Sequence, residues 1–181
     1  SFPTRRSSDL VNVESLLGDF NNSGNITGAE KGIFISESSS AINITNTESG
    51  LIKGKTGLSA ETGLGINNDG KITGIDGDGI ALSSGNTKVL NSGVIEGTQN
   101  GIYVSGNAKV DITNSGSLGG GNAAVFFASD KNNTLVLNTG SSLSGDVIST
   151  VSKGNTLTLV GSGTEDSNFI GLNEGDGFAS V

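Results

Sequence analysis

Apolar and polar residues alternate in short runs along this chain, and the runs recur. In one run Ile102 and Val104 are separated by a single residue, and in the next Val110 and Ile112 are spaced in the same way. A period of two indicates β-strands, because successive strand side chains point to opposite faces. The alternating pairs are Ile33 and Ile35, Ile42 and Ile44, Ile80 and Leu82, Ile102 and Val104, Val110 and Ile112, and Leu157 and Leu159. The pattern therefore predicts strands and no helices.

Turns of the form Asn-x-Gly separate these runs and return about every 23 residues, a period typical of solenoids. The turn glycines are Gly24, Gly70, Gly93, Gly116 and Gly140, with Gly50 in a longer variant of the turn. Three strands in one period leave no room for a crossover helix, so each strand can pair only with its counterpart one repeat away, in parallel. The sequence thus predicts an all-β fold, a parallel β-helix with three short strands per coil and six or seven coils.

Aliphatic residues fall into two columns when the repeats are aligned on their turn glycines. The first column is Ile26, Ile52, Ile72, Ile95, Leu118 and Leu143, and the second is Ile33, Leu58, Ile80, Ile102, Val125 and Val147. One coil cannot bury such a row alone, so the rows must pack on the coils above and below. Each buried aliphatic side chain is worth about 1.5–3 kcal/mol before ordering entropy is subtracted. We therefore expect a cooperative stack.

Asparagine opens most of the turns, and we expect the amides to stack as a ladder in which each bonds to the next coil, as in cross-β stacks. The expected ladder is Asn22, Asn68, Asn91, Asn114 and Asn138. The glycine that follows in each turn is expected to adopt a positive φ, because glycine has no Cβ that would clash with the backbone in that conformation.

Residues 1–10 differ from the rest of the chain. They contain its only proline, Pro3, and its only arginines, Arg5 and Arg6. The ten residues match, codon by codon, the in-frame translation of a common short-read sequencing adapter. We expect this segment to be an artefact outside the fold. Residues 11–181 are expected to form a single β-helix fragment that is open at both ends, because no polar capping repeat is visible.

Composition narrows the possible functions. The net charge of −8 argues against nucleic-acid binding, which requires basic clusters. Without histidine or cysteine, neither a Ser-His-Asp triad nor a thiol nucleophile can form. The sequence therefore predicts no catalytic, cofactor-binding or metal-binding residues, and we expect the chain not to be an enzyme.

Three local features of the sequence are candidate sites. Asp76-Gly77-Asp78-Gly79 could chelate calcium, but it occurs once, and a solvated turn is the simpler interpretation. Glu165 and Asp166 are adjacent, so on a strand they would face opposite ways and not form a glycosidase pair. The third feature is a row of outward residues at equivalent positions, which could stack on a ligand or be ordinary surface: Tyr103 and Phe126, beside Phe34 and Ala81.

Three consecutive motifs carry a resemblance to a known family. They are Asn-Ser-Gly-x-Ile-x-Gly at residues 91–97, Gly-Ile-x-Val at 101–104 and Ala-x-Val-x-Ile-Thr-Asn-Ser-Gly at 108–116. This succession resembles the passenger repeats of bacterial autotransporters, the type V secreted surface proteins, and the likeness covers residues 21–160. Related repeats occur in filamentous haemagglutinin-like adhesins and other solenoids.

The resemblance implies a right-handed, pectin lyase-like β-helix that is exported by the C-terminal outer-membrane β-barrel translocator of the same full-length protein. It places the chain at the bacterial cell surface or outside the cell, associated with the outer membrane. The barrel, host surfaces and neighbouring cells are the implied partners. No functional residue carries over, because passenger stalks share no catalytic motif.

Two hypotheses about function follow. The first is a surface-exposed passenger stalk of an autotransporter or adhesin, which holds or forms an adhesive surface. The alternative is a fragment of a β-helix polysaccharide lyase or hydrolase. Such an enzyme needs carboxylates clustered with Arg or Lys on one face, and this chain has no arginine outside residues 1–10.

Overall fold

The computed structural model describes residues 18–37, 42–150 and 154–161 with their side chains, and the backbone of three further short strands. Residues 1–10, which match the adapter, lie outside the described residues, as do Glu165 and Asp166. All regular structure in the described part is β-strand.

The strands are short and follow one another closely. In chain order they are β1 (Val11–Val13), β2 (Phe20–Asn22), β3 (Asn25–Thr27), β4 (Lys31–Ile35), β5 (Asn43–Asn46), β6 (Leu51–Gly54), β7 (Thr56–Ala60), β8 (Gly65–Asn68), β9 (Lys71–Gly74), β10 (Ile80–Leu82), β11 (Asn86–Asn91), β12 (Val94–Gly97), β13 (Asn100–Val104), β14 (Lys109–Asn114), β15 (Ser117–Phe127), β16 (Thr134–Leu137), β17 (Ser142–Ser149), β18 (Asn155–Leu159), β19 (Phe169–Ile170) and β20 (Phe178–Ser180).

The strands stack in three columns, and every pairing between them is parallel. The first column is an eight-stranded sheet in the order β2, β5, β8, β11, β14, β16, β18 and β20. The second column begins with β3, β6, β9 and β12, and the third with β1, β4, β7, β10 and β13. These two columns join in a 12-stranded sheet because β15 and β17 each run through both. The predicted β-helix of about six coils, about 23 residues apart, is confirmed, and its hand stays a prediction.

Both predicted aliphatic columns are confirmed by the register. Ile95 lies opposite Ile72 on one side and Leu118 on the other. Ile102 likewise lies between Ile80 and Val125. Most members of the two columns are buried completely and form one continuous core along the axis of the solenoid. Parallel pairing therefore places like residues directly on each other in successive coils.

The last alternating pair behaves differently from the others. Leu157 is buried in β18, whereas Leu159 is 56 % exposed. Leu159 pairs with the buried Leu137 on one side. On the other side, β20 pairs with Asn155 and Thr156 and does not reach Leu159. Within the described strands, Leu159 therefore has a register partner on one side only.

The turn glycines are needed for a different reason from the one predicted. Gly24, Gly50, Gly70, Gly93 and Gly116 are not among the glycines with positive φ, whereas Gly140 has a φ of 92°. A Cβ on Gly93 would overlap the carbonyl oxygen of Gly70 in the preceding coil, and one on Gly116 would overlap that of Gly93. The glycines allow the turns of successive coils to approach each other, and the prediction of positive φ is wrong for these five.

A second glycine column lies at the bend between the second and third columns. Gly74 pairs with Gly54 and Gly97, and Gly97 pairs with Gly120. A Cβ on Gly97 would overlap the carbonyl oxygen of Asn100, which follows the bend in the same coil. These glycines permit a sharp corner.

Replacing Ile102 by Asp should destabilise the protein far more than replacing its neighbour Tyr103 by Asp. Ile102 is completely buried, so a carboxylate there would lack both water and a partner, at a cost of more than about 4 kcal/mol. The Tyr103 side chain is only partly buried, and its replacement should cost about 1–2 kcal/mol. Urea unfolding of both variants measures the loss in free energy of unfolding. An equal loss in both, or a larger loss for Tyr103→Asp, would mean that the strand faces are assigned incorrectly.

The glycine stack makes a second prediction. Gly93→Ala should destabilise by about 1–3 kcal/mol, because its Cβ would push apart two coils. Gly119→Ala is the matched control, since its Cβ would meet nothing nearer than 3.7 Å. The midpoint temperature of thermal unfolding should be unchanged or slightly higher for Gly119→Ala, because alanine lowers the conformational entropy of the unfolded chain. An equal loss in both variants would contradict the steric role of Gly93.

Candidate functional site

A buried asparagine ladder follows the corner between the first and second columns. In each step one side-chain amide donates from Nδ2 to the Oδ1 of the asparagine in the next coil. The ladder comprises Asn22, Asn46, Asn68, Asn91 and Asn114, with N–O distances of 2.8, 2.8, 2.7 and 2.7 Å in that order. All five side chains are at least nine-tenths buried. The predicted ladder is thus confirmed for four of its members.

Each ladder amide also holds the backbone of its turn. Asn68 donates to the carbonyl oxygen of Gly70 at 3.2 Å and to that of Val94 at 3.2 Å. The first carbonyl belongs to its own turn, and the second belongs to the first strand residue after the turn of the next coil. The ladder therefore satisfies buried backbone acceptors as well as the neighbouring amides, which is what a buried polar group requires.

The sequence prediction missed Asn46 and wrongly included Asn138. Asn46 keeps its ladder position although four residues, and not two, separate it from the next strand. In the sixth coil the turn is again four residues long, but Leu137 lies opposite Asn114. Asn138 is therefore one residue beyond the corner and only partly buried. In this coil a leucine occupies the ladder position, and the Asn-x-Gly sequence begins one residue after it.

A smaller buried polar cluster lies at the corner between the third and first columns. Asn133 accepts a hydrogen bond from the backbone N–H of Val110 at 2.9 Å, and its amide donates to Asn155 at 3.0 Å and to Ser129 at 3.1 Å. Asn155 in turn donates to Ser149 at 2.8 Å. The cluster begins in the coil where the first ladder ends. The sequence analysis did not find it, because no Asn-x-Gly turn marks this corner.

A shallow groove, the ladder groove, follows the outside of the first corner and has a volume of about 360 Å³. Its lining comes from residues before and after the ladder asparagines: Thr45, Asn67, Asp69, Leu90, Asn91, Ser92, Thr113 and Ser115. Thr45, Asn67, Leu90 and Thr113 are register partners, so the groove runs along the stacking axis across four coils. It offers hydroxyl and amide groups, one carboxylate and one apolar side chain.

A second groove, the glycine groove, lies over the other bend and has a volume of about 550 Å³. Its floor includes the register partners Thr73, Glu96, Gly119 and Ser144. The Glu96 carboxylate accepts a bond from Lys71 Nζ at 2.7 Å, and Lys71 lies in the preceding coil. Half-exposed Ile75 contributes an apolar wall. The carboxylate is thus already paired with a cation.

The predicted outward aromatic row is present on the third column. Tyr103 lies opposite Phe126, and their rings meet edge to face with centroids 5.6 Å apart at 72°. Phe34 is further along the same row, with Lys31 Nζ 3.8 Å from its ring centroid. Because Tyr103 and Phe126 are nearly perpendicular, the two rings do not form a flat platform. They pack largely on each other.

The sequence Asp76-Gly77-Asp78-Gly79 forms a turn that is fastened to the next coil. The Asp78 carboxylate accepts bonds from the side-chain amide of Asn100 at 2.7 Å and from its backbone N–H at 3.2 Å. Burial raises the pKa of Asp78, and the two bonds from Asn100 offset part of that rise. No group of three or more acidic side chains close enough to hold a metal ion occurs among the described residues. Asp78 thus has a structural partner in this turn.

Comparisons of the chain with protein-family models, with curated proteins and with solved structures gave no match. Within the part of the chain that the structure describes, no helix is long and apolar enough to span a membrane.

The ladder makes a prediction with a control on the same strand. Asn68→Ala should lower the free energy of unfolding by about 2–4 kcal/mol, because it removes the bond donated by Asn46, the bond accepted by Asn91 and the bonds to two carbonyls, all in a buried site. The adjacent Asn67 is exposed on the opposite face, and Asn67→Ala should change stability by less than about 0.5 kcal/mol. Chemical denaturation measures both variants. Equal and small losses of stability in Asn68→Ala and Asn67→Ala would show that the hydrogen bonds of the ladder do not stabilise the fold.

Proposed function

We propose that the chain is part of a surface-exposed passenger stalk of a secreted bacterial autotransporter or adhesin. In this proposal the stalk holds or forms an adhesive surface outside the outer membrane. Its export depends on the C-terminal β-barrel translocator of the same full-length protein. The resemblance of the repeats to autotransporter passengers supports this assignment.

The observation that carries the proposal is the unbroken stacking of three strand columns through about six coils. At about 4.8 Å per coil, the stack reaches about 29 Å along its axis. Each backbone strand in the interior is paired on both sides, as β11 is with β8 and β14. Such a stack is stiff, and each added coil lengthens it by a fixed step. These properties suit a spacer.

Stacking also suits folding after passage through a membrane pore. Most pairings in the structure connect strands about 23 residues apart, so a coil can form as soon as it emerges and finds the coil before it. A repeat contacts only its neighbours, which allows such growth without the rest of the chain. The absence of cysteine from the sequence avoids premature disulfides during transit through an oxidising compartment.

The test is surface display of the chain fused upstream of an outer-membrane translocator barrel, with an epitope tag at its N-terminus. Antibody should label the tag on intact cells, and a protease added outside should leave a resistant β-rich core. A chain that is labelled only after the outer membrane is permeabilised would contradict the proposal.

Deletion of one whole coil separates a spacer from an enzyme. Residues 92–114 span one repeat, because Asn91 and Asn114 are register partners 23 residues apart. Their removal should shorten the stack by about 4.8 Å and leave display and protease resistance unchanged. Deletion of residues 92–103, about half a coil, is the control and should abolish the resistant core because the remaining strands fall out of register.

The alternative, a fragment of a polysaccharide lyase or hydrolase, makes the opposite prediction. An enzyme depends on a few groups in fixed positions, so a whole-coil deletion that removes or displaces them would abolish turnover. Incubation of the purified native chain with acidic and neutral polysaccharides, followed by a reducing-end assay, tests for such turnover. Hydrolysis or elimination by the native chain that the coil deletion removes would favour the enzyme over the stalk.

A further inference from the structure

We infer that the ladder groove binds a linear, neutral polysaccharide whose chain runs along the solenoid axis, with about one sugar unit per coil. This inference rests on the proposed function and deepens it, since it names the adhesive surface and the ligand. Four observations support it: the periodicity of the lining, its chemistry, its charge and the absence of a free strand edge there.

The lining is periodic in the direction in which a bound polymer would extend. Thr45, Asn67, Leu90 and Thr113 succeed each other in register, one per coil, over about 14 Å. A pyranose unit in an extended β-linked chain advances by a distance close to one coil spacing. Successive sugars can therefore meet successive coils in the same way, and small contact energies add along the chain.

The lining offers the two kinds of contact that a sugar requires. No hydrogen bond is made by the side chains of Thr45, Asn67 or Thr113 to other described residues, so their hydroxyl and amide groups are available to ligand hydroxyls. Leu90 is 37 % exposed between them and presents an apolar surface to the C–H face of a ring. The far wall carries Ser92, whose hydroxyl donates to Asp69 at 2.5 Å.

Charge favours an uncharged polymer over an anionic one. Asp69 is the one charged residue in the lining, and no lysine or arginine contributes to it. The whole chain carries a net charge of −8. An acidic polysaccharide or a nucleic acid would therefore be repelled and would find no cation in the groove to pair with.

Backbone geometry argues against an extended peptide as the ligand. Peptides that bind to sheets usually add a strand to a free edge. In this groove the strands are already paired on both sides, as β11 is with β8 and β14. A peptide strand also advances by about 3.3 Å per residue, or about 6.7 Å between side chains on one face, and neither distance matches the spacing of about 4.8 Å between coils.

The experiment uses the complete chain and a panel of neutral β-linked oligosaccharides of two to six units, built from glucose, mannose, xylose or N-acetylglucosamine. Isothermal titration should give saturable binding to at least one series. Affinity should rise with length up to about four units, because the groove spans four coils, and then level off. Hexagalacturonate is the acidic comparison ligand and should bind more weakly.

Variants locate the site. Asn67→Ala and Thr113→Ala should each weaken binding by about three- to tenfold, the effect of one lost hydrogen bond. Lys88→Ala is the matched control, because Lys88 is exposed on the same strand as Leu90 but lies outside the groove, and its affinity should match that of the native chain. Amide chemical-shift changes on titration should centre on Asn67, Leu90 and Thr113.

Three results would overturn the inference: no binding to any neutral oligosaccharide, tighter binding to hexagalacturonate, or shift changes centred on the Tyr103 and Phe126 rings. These outcomes are distinct from failure of the stalk proposal. If the chain is displayed on cells but binds no glycan, only the proposal for the ladder groove is contradicted. If the chain binds a glycan but is not displayed on cells, only the stalk proposal is contradicted.

Discussion

Parallel backbone pairing between successive coils is the constraint on which the rest of this structure depends. Each strand bonds to its counterparts one coil before and one coil after, so its residues lie directly over equivalent residues at about 4.8 Å. Each interior side chain therefore has to pack well on a side chain of the same or similar type in the next coil. Isoleucine over isoleucine, asparagine over asparagine and glycine over glycine all meet this requirement, and they make up the interior columns.

The ladder and the glycine stack solve one problem at the same corner. A turn of two residues brings successive coils so close that a Cβ on Gly93 would overlap the backbone of the coil before. The same turn leaves carbonyl groups, such as those of Gly93 and Ser117, pointing into the corner, where Asn91 bonds to both at 3.3 and 3.2 Å. Buried carbonyls need such partners. Where Leu137 takes the ladder position, the buried amides move to Asn133 and Asn155 at another corner.

Features that repeat in the sequence could be predicted, and features that depend on contacts between coils could not. The Ile72, Ile95 and Leu118 column follows from period and alternation alone, because stacking selects like residues. The local Asn-x-Gly pattern predicts Asn138 in the ladder, but the strand register places Leu137 opposite Asn114. A positive φ is the rule for glycine in isolated turns, whereas Gly93 is required here because the backbone of the preceding coil approaches so closely. The residues that line the ladder groove could not be predicted, because they come together only through the register between strands.

The outward rows carry what stacking does not determine. Thr45, Asn67 and Leu90 occupy equivalent positions in three successive coils, and nothing in the interior requires these residue types. Any specificity for a ligand has to reside in such rows, because the inward rows are fixed by self-packing. Each outward contact is weak, about 0.5–1.5 kcal/mol for a hydrogen bond, so useful affinity requires several coils to act together. Duplication or loss of one repeat changes the reach of the stack and the length of the groove by the same step. In a solenoid of this kind, reach and affinity are therefore set by the same number, the count of coils.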